Sequence, residues 1–261
     1  MKVLFLGNSS DTGGWVDQSA SRVSIMSERL GAEFGEQPEF VVKNCWPNER
    51  MVSLVERWME ETQPDYVVLN IASYSFTYES TPLKVRRVFG KLGQPVGDAG
   101  MRLSQSRRWT NNVAFRTMRR IGQATFGGDT HVSTEDAAAR YSEVIRLILR
   151  KEGVLLAVKG PVGRGHPGLT KRQAKRHEAR RQFVHQRLRQ LTTQLRVPYF
   201  GVDDPWWKTH KRPRNTRVGD GVHANEAGHV ILADDYYPFI RDTWAVHIAA
   251  VDPATAAIAA D

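Results

Sequence analysis

Two short stretches near opposite ends of the chain hold residue types that can make and break acyl bonds. An apolar run, Val3 to Leu6, ends in Gly7-Asn8-Ser9-Ser10-Asp11-Thr12-Gly13. Far along the chain stands Gly219-Asp220-Gly221-Val222-His223, with the acid three residues before the histidine. A serine hydroxyl is a weak nucleophile until a neighbouring base takes its proton. A histidine suits that task near neutral pH, and a carboxylate fixes its tautomer and stabilises the imidazolium. Two glycines flanking Asp220 ease a tight loop that brings both side chains to one side. The chemistry on offer is nucleophilic acyl transfer, with Ser9 as nucleophile, His223 as base and Asp220 as its orienting carboxylate.

Such distant residues meet only if the fold brings them together. Five short segments have the composition of buried parallel strands: Lys2–Leu6, Phe40–Asn44, Tyr66–Ile71, Val154–Lys159 and Pro198–Val202. Helical periodicity or capping lies between and after them, over Trp15–Leu30, Arg50–Glu61, Ser133–Arg150, Leu169–Leu195 and Asn225–Trp244. Pro238 is expected to kink or break the last of these. Strands alternating with helices predict an α/β fold, a three-layer α/β/α sandwich around a five-stranded parallel sheet of flavodoxin-like type. In such sheets ligands bind at the carboxyl ends of the strands, where Ser9 falls.

The alternation lapses between Ile71 and Ser133, a stretch with seven glycines from Gly90 to Gly128. A structureless loop of that length is uncommon in a compact domain. The sequence therefore predicts a basic insertion or lid over about 76–132, after the third strand, with helices around Pro82–Phe89 and Asn111–Ile121. One domain is expected over 1–252, followed by a flexible alanine-rich tail at 253–261.

The formal charge is +9, with basic clusters at 84–120 and 171–189. Such clusters attract anionic substrates, acidic partners or nucleic acid, and they also occur as plain solvated helix faces. No nucleic-acid motif accompanies them, so nucleic acid is not an expected partner. Cys45 is the only cysteine, which excludes an intramolecular disulfide and a zinc-cysteine site. No cofactor or metal is expected, and the histidines and acids show no tight ligand spacing. No run approaches the roughly 18 apolar residues of a membrane span, and no broad apolar surface stretch stands out. A cytoplasmic protein without a membrane partner is the expectation; oligomeric state is open. Trp206 and Trp207 fit core packing or an acyl pocket, His166 a solvated loop, and His229 a structural role on the last helix.

Together the terminal blocks resemble the SGNH (GDSL) hydrolase superfamily of esterases, lipases and acyltransferases. Gly7, Asn8, Ser9 and Gly13 match its first block, with Asn8 where the family has aspartate. Asp220, His223 and Ala227-Gly228-His229 match its last. The resemblance implies the same roles for Ser9, His223 and Asp220, and it implies oxyanion donors from two further blocks. The second block usually offers a glycine; Asn44-Cys45-Trp46-Pro47-Asn48-Glu49 has none, and Asn48 is the nearest positional match. The third usually reads G-x-N-D; here Ala72-Ser73-Tyr74-Ser75 puts Tyr74 at the asparagine position. Asn70 substitutes only if the strand ends sooner. Losing one oxyanion donor costs about 100- to 1000-fold in turnover.

The expected activity is a serine-dependent ester hydrolase working through an acyl-enzyme on a small ester. Basic residues of the insertion, Arg107 and Arg108 among them, favour anionic or carbohydrate-linked esters. An acyltransferase shares the acyl-enzyme step and is not separable by sequence. A non-catalytic binding module with a degraded oxyanion hole is the rival from another class.

Overall fold

A computed structural model of the chain describes residues 1–9, 11, 16–105, 112–161, 169–201, 216, 218 and 223–251. Five strands form one parallel sheet: β1 (Lys2–Gly7), β2 (Glu39–Asn44), β3 (Tyr66–Asn70), β4 (Leu155–Lys159) and β5 (Tyr199–Phe200). Their order across the sheet is β2-β1-β3-β4-β5. The chain winds outward in both directions from β1, so a crevice opens at the carboxyl ends where β1 meets β3.

The period-2 alternation of the strands divides the core between two faces. Leu4 and Leu6 of β1, Val67 and Leu69 of β3, and Leu156 and Val158 of β4 join one cluster. It is covered by α2 (Met51–Thr62), α6 (Thr134–Leu149) and α7 (Lys171–Gln194), through Val55, Ile145 and Leu188 among others. Val3, Phe5, Tyr66, Val68 and Ala157 face the opposite way. They meet Met26 and Leu30 of α1 (Arg22–Phe34) and Ala233, Tyr236, Ile240 and Trp244 of α8 (Glu226–Val251). The three-layer α/β/α sandwich expected from the sequence is the fold.

Helix ends follow local chemistry. Ser21 and Ser133 accept the amides of Ser24 and Asp136 in the first turns of α1 and α6, and Thr170 with Gln173 forms a capping box on α7. Three elements differ from expectation. α1 begins at Arg22, after a 3-10 turn at Gln18–Ala20, because Ser21 caps it there. β5 is two residues long. α8 continues through Pro238 to Val251. The proline removes one backbone donor, and the apolar face from Ala233 to Trp244 seated on the sheet offsets that loss.

Between β3 and α6 lie α3 (Tyr74–Thr77), α4 (Thr81–Gln105) and α5 (Val113–Phe126). α4 is not one straight helix. Gly90, at φ 52° and ψ −128°, breaks it into two limbs. A two-bond bridge between Ser80 and Asp129 closes the base of this insertion, with N–H···O distances of 2.8 and 3.1 Å.

Candidate active site

β1 delivers Ser9. The strand ends at Gly7, and a turn follows in which the Asp11 N–H donates to the Asn8 carbonyl at 2.8 Å. Ser9 occupies the second position of that turn and is exposed. The Asp11 carboxylate folds back beneath it, with Oδ2 accepting the Asn8 N–H at 2.6 Å. A side chain at Gly7 would put its Cβ 2.3 Å from that same oxygen, so glycine is required there. Asn8 itself carries no charge; the carboxylate serving this turn is Asp11.

α8 and the segment before it deliver His223. The Val218 N–H donates to the His223 carbonyl at 2.9 Å, and the Asn225 N–H to the Thr216 carbonyl at 3.2 Å. Asn225 then caps α8, its Oδ1 accepting the Gly228 N–H at 2.9 Å. A Cβ at Gly228 would stand 2.1 Å from the Thr216 carbonyl oxygen, so the backbones approach closely only with glycine. The outcome is contact across 214 residues of sequence: Ser9 Oγ lies 2.9 Å from His223 Nε2. Asp220 lies outside the described residues, as do Arg107, Arg108, His166, Trp206 and Trp207.

A buried polar network lies under the Ser9 turn. Asp11 is 2% exposed and forms an ion pair with Arg22, which is 3% exposed. Asp11 Oδ2 also accepts from Asn70 Nδ2 at 3.0 Å. Asn70 Oδ1 in turn accepts from Tyr236 Oη at 3.3 Å and from Lys159 Nζ at 3.4 Å. The Arg22 guanidinium and the Lys159 ammonium both lie over the Tyr236 ring, at 4.7 and 4.3 Å from its centroid. His229 Nδ1 accepts the Arg22 backbone N–H at 3.1 Å. Burial, then the charges of Arg22 and His223, lower its pKa to about 4, so it stays neutral near pH 7. His229 thus has the structural role expected of it.

The residues considered as oxyanion donors fall in three settings. Asn70 is buried, with its amide engaged in the network just described. The Asn48 N–H donates to the Trp46 carbonyl at 2.7 Å, and its Oδ1 accepts the Arg50 N–H at 2.9 Å. Tyr74 stands at the start of α3, immediately past β3, and is exposed. Its ring stacks on Tyr78 with centroids 4.6 Å apart, and it reaches Trp46 at 6.2 Å. His131 completes the cluster, 5.4 Å from Trp46 and edge-on to it. Trp46 follows β2 and Tyr74 follows β3, while β1 runs between those strands. The Trp46–Tyr74 contact therefore brackets the end of β1, where Ser9 sits.

Sequence reasoning did not find Asp11, Arg22 or Lys159. Lys159 did leave a signal, as the one charge closing an otherwise apolar strand, Leu155-Leu156-Ala157-Val158-Lys159. The pairing of Asp11 with Arg22 left none. Cys45 is a poor rival nucleophile, because burial pushes its thiol up to about 12.

No protein-family model and no curated protein sequence matches the chain. Solved structures do. TesA aligns with a TM-score of 0.55 at 12% identity, covering 93% of this chain and 99% of that one. The psychrotrophic esterase EstA from Pseudoalteromonas sp. gives 0.51 at 10% identity, covering 92% and 97%. Axe2, an acetylxylan esterase from Geobacillus stearothermophilus, gives 0.52 at 16% identity, covering 92% and 93%. The chain shares its α/β/α fold with these proteins over nearly its whole length, in keeping with the SGNH hydrolase resemblance that the Ser9 and His223 blocks carry.

Proposed function

We propose that the protein is a serine-dependent ester hydrolase acting through an acyl-enzyme. The observation that carries this reading is the 2.9 Å approach of Ser9 Oγ to His223 Nε2 at the carboxyl end of β1. Ser9 attacks the ester carbonyl while His223 accepts its proton. Asp220, three residues before His223 in the sequence, is assigned the role of orienting the other ring nitrogen and stabilising the imidazolium. The protonated His223 then gives its proton to the leaving alcohol. Water, deprotonated by the same histidine, attacks the acyl-Ser9 carbonyl and releases the acid. The oxyanion is held by the Ser9 backbone N–H and by the Tyr74 hydroxyl, since the Asn48 N–H and the Asn70 amide have partners elsewhere.

The substrate class is a small ester on a ring-bearing alcohol. Trp46, Tyr74, Tyr78 and His131 form a ring cluster past the carboxyl ends of β2 and β3, the strands that flank β1, and such rings are suited to stacking on a sugar ring. Axe2, which shares the fold, is named an acetylxylan esterase. An acetylated saccharide is the substrate this combination supports.

The deciding experiment compares wild type and Ser9→Ala on p-nitrophenyl acetate, butyrate and octanoate, alongside fluorophosphonate labelling. Turnover and labelling that both vanish in Ser9→Ala, with acetate preferred, are the expected result. Absence of labelling together with turnover indifferent to Ser9 would sink the reading and leave a binding module. An acyltransferase would instead form a new ester on added saccharide at the expense of free acetate.

A further inference from the structure

We propose that the insertion after β3 is a docking device for an anionic lipid surface, with the bend of α4 as its point of contact. Three independent observations converge there.

The first is charge. Residues 81–126 hold ten Lys and Arg against one acid, Asp98, a surplus of nine. The whole chain has 37 basic and 28 acidic residues, also a surplus of nine, so the rest of the protein balances at 27 of each sign. The basic cluster on α7 fits this balance. Its Arg176 and Arg180 pair with Glu79 at 2.7 and 3.0 Å, and Arg181 pairs with Glu178.

The second is an exposed apolar group at the bend; Val113, Met118 and Ile121 of α5 are exposed in the same insertion. Val88 and Phe89 precede Gly90, and Leu92 and Val96 follow it; all four are exposed, Leu92 by 87%. Contiguous exposed apolar residues with a charged surround mark contact sites. Here Arg86, Arg87 and Lys91 are exposed around them. The sequence alone showed no broad apolar surface, because the helix expected around Pro82–Phe89 stops before the second limb, which folds back beyond Gly90 to make a prong.

The third is the architecture of the prong. The second limb lies on the first: a Cβ at Gly97 would stand 2.2 Å from Arg86 Cγ and 3.0 Å from the Pro82 carbonyl oxygen. The base is fastened by the Ser80–Asp129 bridge and by Thr81 Oγ1, which donates to the Gly127 carbonyl at 3.0 Å. Leu83, Arg86, Arg87, Gly90 and Gln94 line an open hollow of about 390 Å³. Arg86 and Arg87 pair with Asp98 and Asp129 at 3.4 and 3.3 Å, exposed contacts that a phosphate headgroup can replace, and the apolar residues around Gly90 suit the acyl boundary beneath it.

The charge pattern selects this occupant over a second copy of the chain. A two-fold contact through the bend would set Arg86, Arg87 and Lys91 against their own counterparts, which is repulsive. No helix among the described residues is long and apolar enough to cross a membrane, so the contact is peripheral.

The test is co-sedimentation of the full chain with vesicles of phosphatidylcholine alone and of phosphatidylcholine with 30% phosphatidylglycerol, in about 0.15 M salt, where screening acts within about 8 Å. Binding to the anionic vesicles and at least tenfold less to the neutral ones is expected. Phe89→Asp/Leu92→Asp should abolish it, with circular dichroism unchanged because both side chains are exposed. Arg87→Glu/Lys91→Glu should weaken it at least tenfold, since each cation near such a surface contributes about fivefold. Absence of anionic-vesicle binding, or binding indifferent to Phe89→Asp/Leu92→Asp, would overturn the proposal. So would a micromolar dimer in light scattering that Leu92→Asp dissolves, which would assign the prong to self-association. None of these outcomes depends on esterase activity, so the docking site and the catalytic reading stand or fall separately.

Discussion

Asp11 and Arg22 form a buried ion pair directly beneath the turn that carries Ser9. Asp11 belongs to that turn and Arg22 opens α1, so the pair ties the proposed nucleophile to a helix packed on the sheet. The same Asp11 oxygen that accepts the Asn8 N–H also accepts the Asn70 amide. One carboxylate thus joins β1, β3 and α1 at the site. Removing one partner of a buried pair leaves an uncompensated charge and costs about 3–5 kcal/mol. Asp11→Ala and Arg22→Met should each lower the urea-unfolding free energy by that order. The double variant should lose less than the sum of the two, and strict additivity would show that the pair is uncoupled.

Tyr74 is the expected side-chain donor to the oxyanion. Tyr74→Phe keeps the stack on Tyr78 and removes only the hydroxyl, so kcat on p-nitrophenyl acetate should fall about 100-fold with little change in KM. An unaltered kcat would leave the oxyanion to backbone donors alone.

Gly228 sets the seat of the His223 segment. Alanine there would thrust a methyl group toward the Thr216 carbonyl, 2.1 Å away, and backbone must move. Gly228→Ala should cost about 1–3 kcal/mol of stability, as overpacking does, and should lower kcat/KM through displaced His223. Ala227→Ser, one residue earlier and exposed, is the control and should change neither.

His229 gives the fold a pH dependence with a definite sign. Burial holds its folded pKa near 4, against about 6.5 in the unfolded chain. Between those values the unfolded state binds more protons, so stability falls as pH drops from about 6.5 to about 4. The full loss from this group is at most about 3 kcal/mol. Protonation of Nδ1 also forfeits the hydrogen bond accepted from the Arg22 N–H. Urea unfolding at pH 7, 5.5 and 4 should show a shallower pH slope for His229→Asn, whose side-chain oxygen can still accept that bond. Identical slopes would remove His229 from the pH response.

Local pattern determined a good deal about this protein. Apolar runs of strand length set between helical periods dictate a parallel sheet covered on both faces, because only crossover helices can hide both. The Gly-x-Ser turn and the Asp-x-x-His spacing are likewise local chemistry, legible wherever they fold. The rest required the third dimension. That Ser9 and His223 meet depends on strand order and on the approach of Gly228 to Thr216, which sequence spacing does not encode. Asp11, Arg22, Asn70, Lys159 and Tyr236 come from five separate elements or loops, and burial alone turns them into one network. The bend at Gly90 has the same origin: a residue free to adopt positive φ permits a prong, and packing of the two limbs decides that it forms.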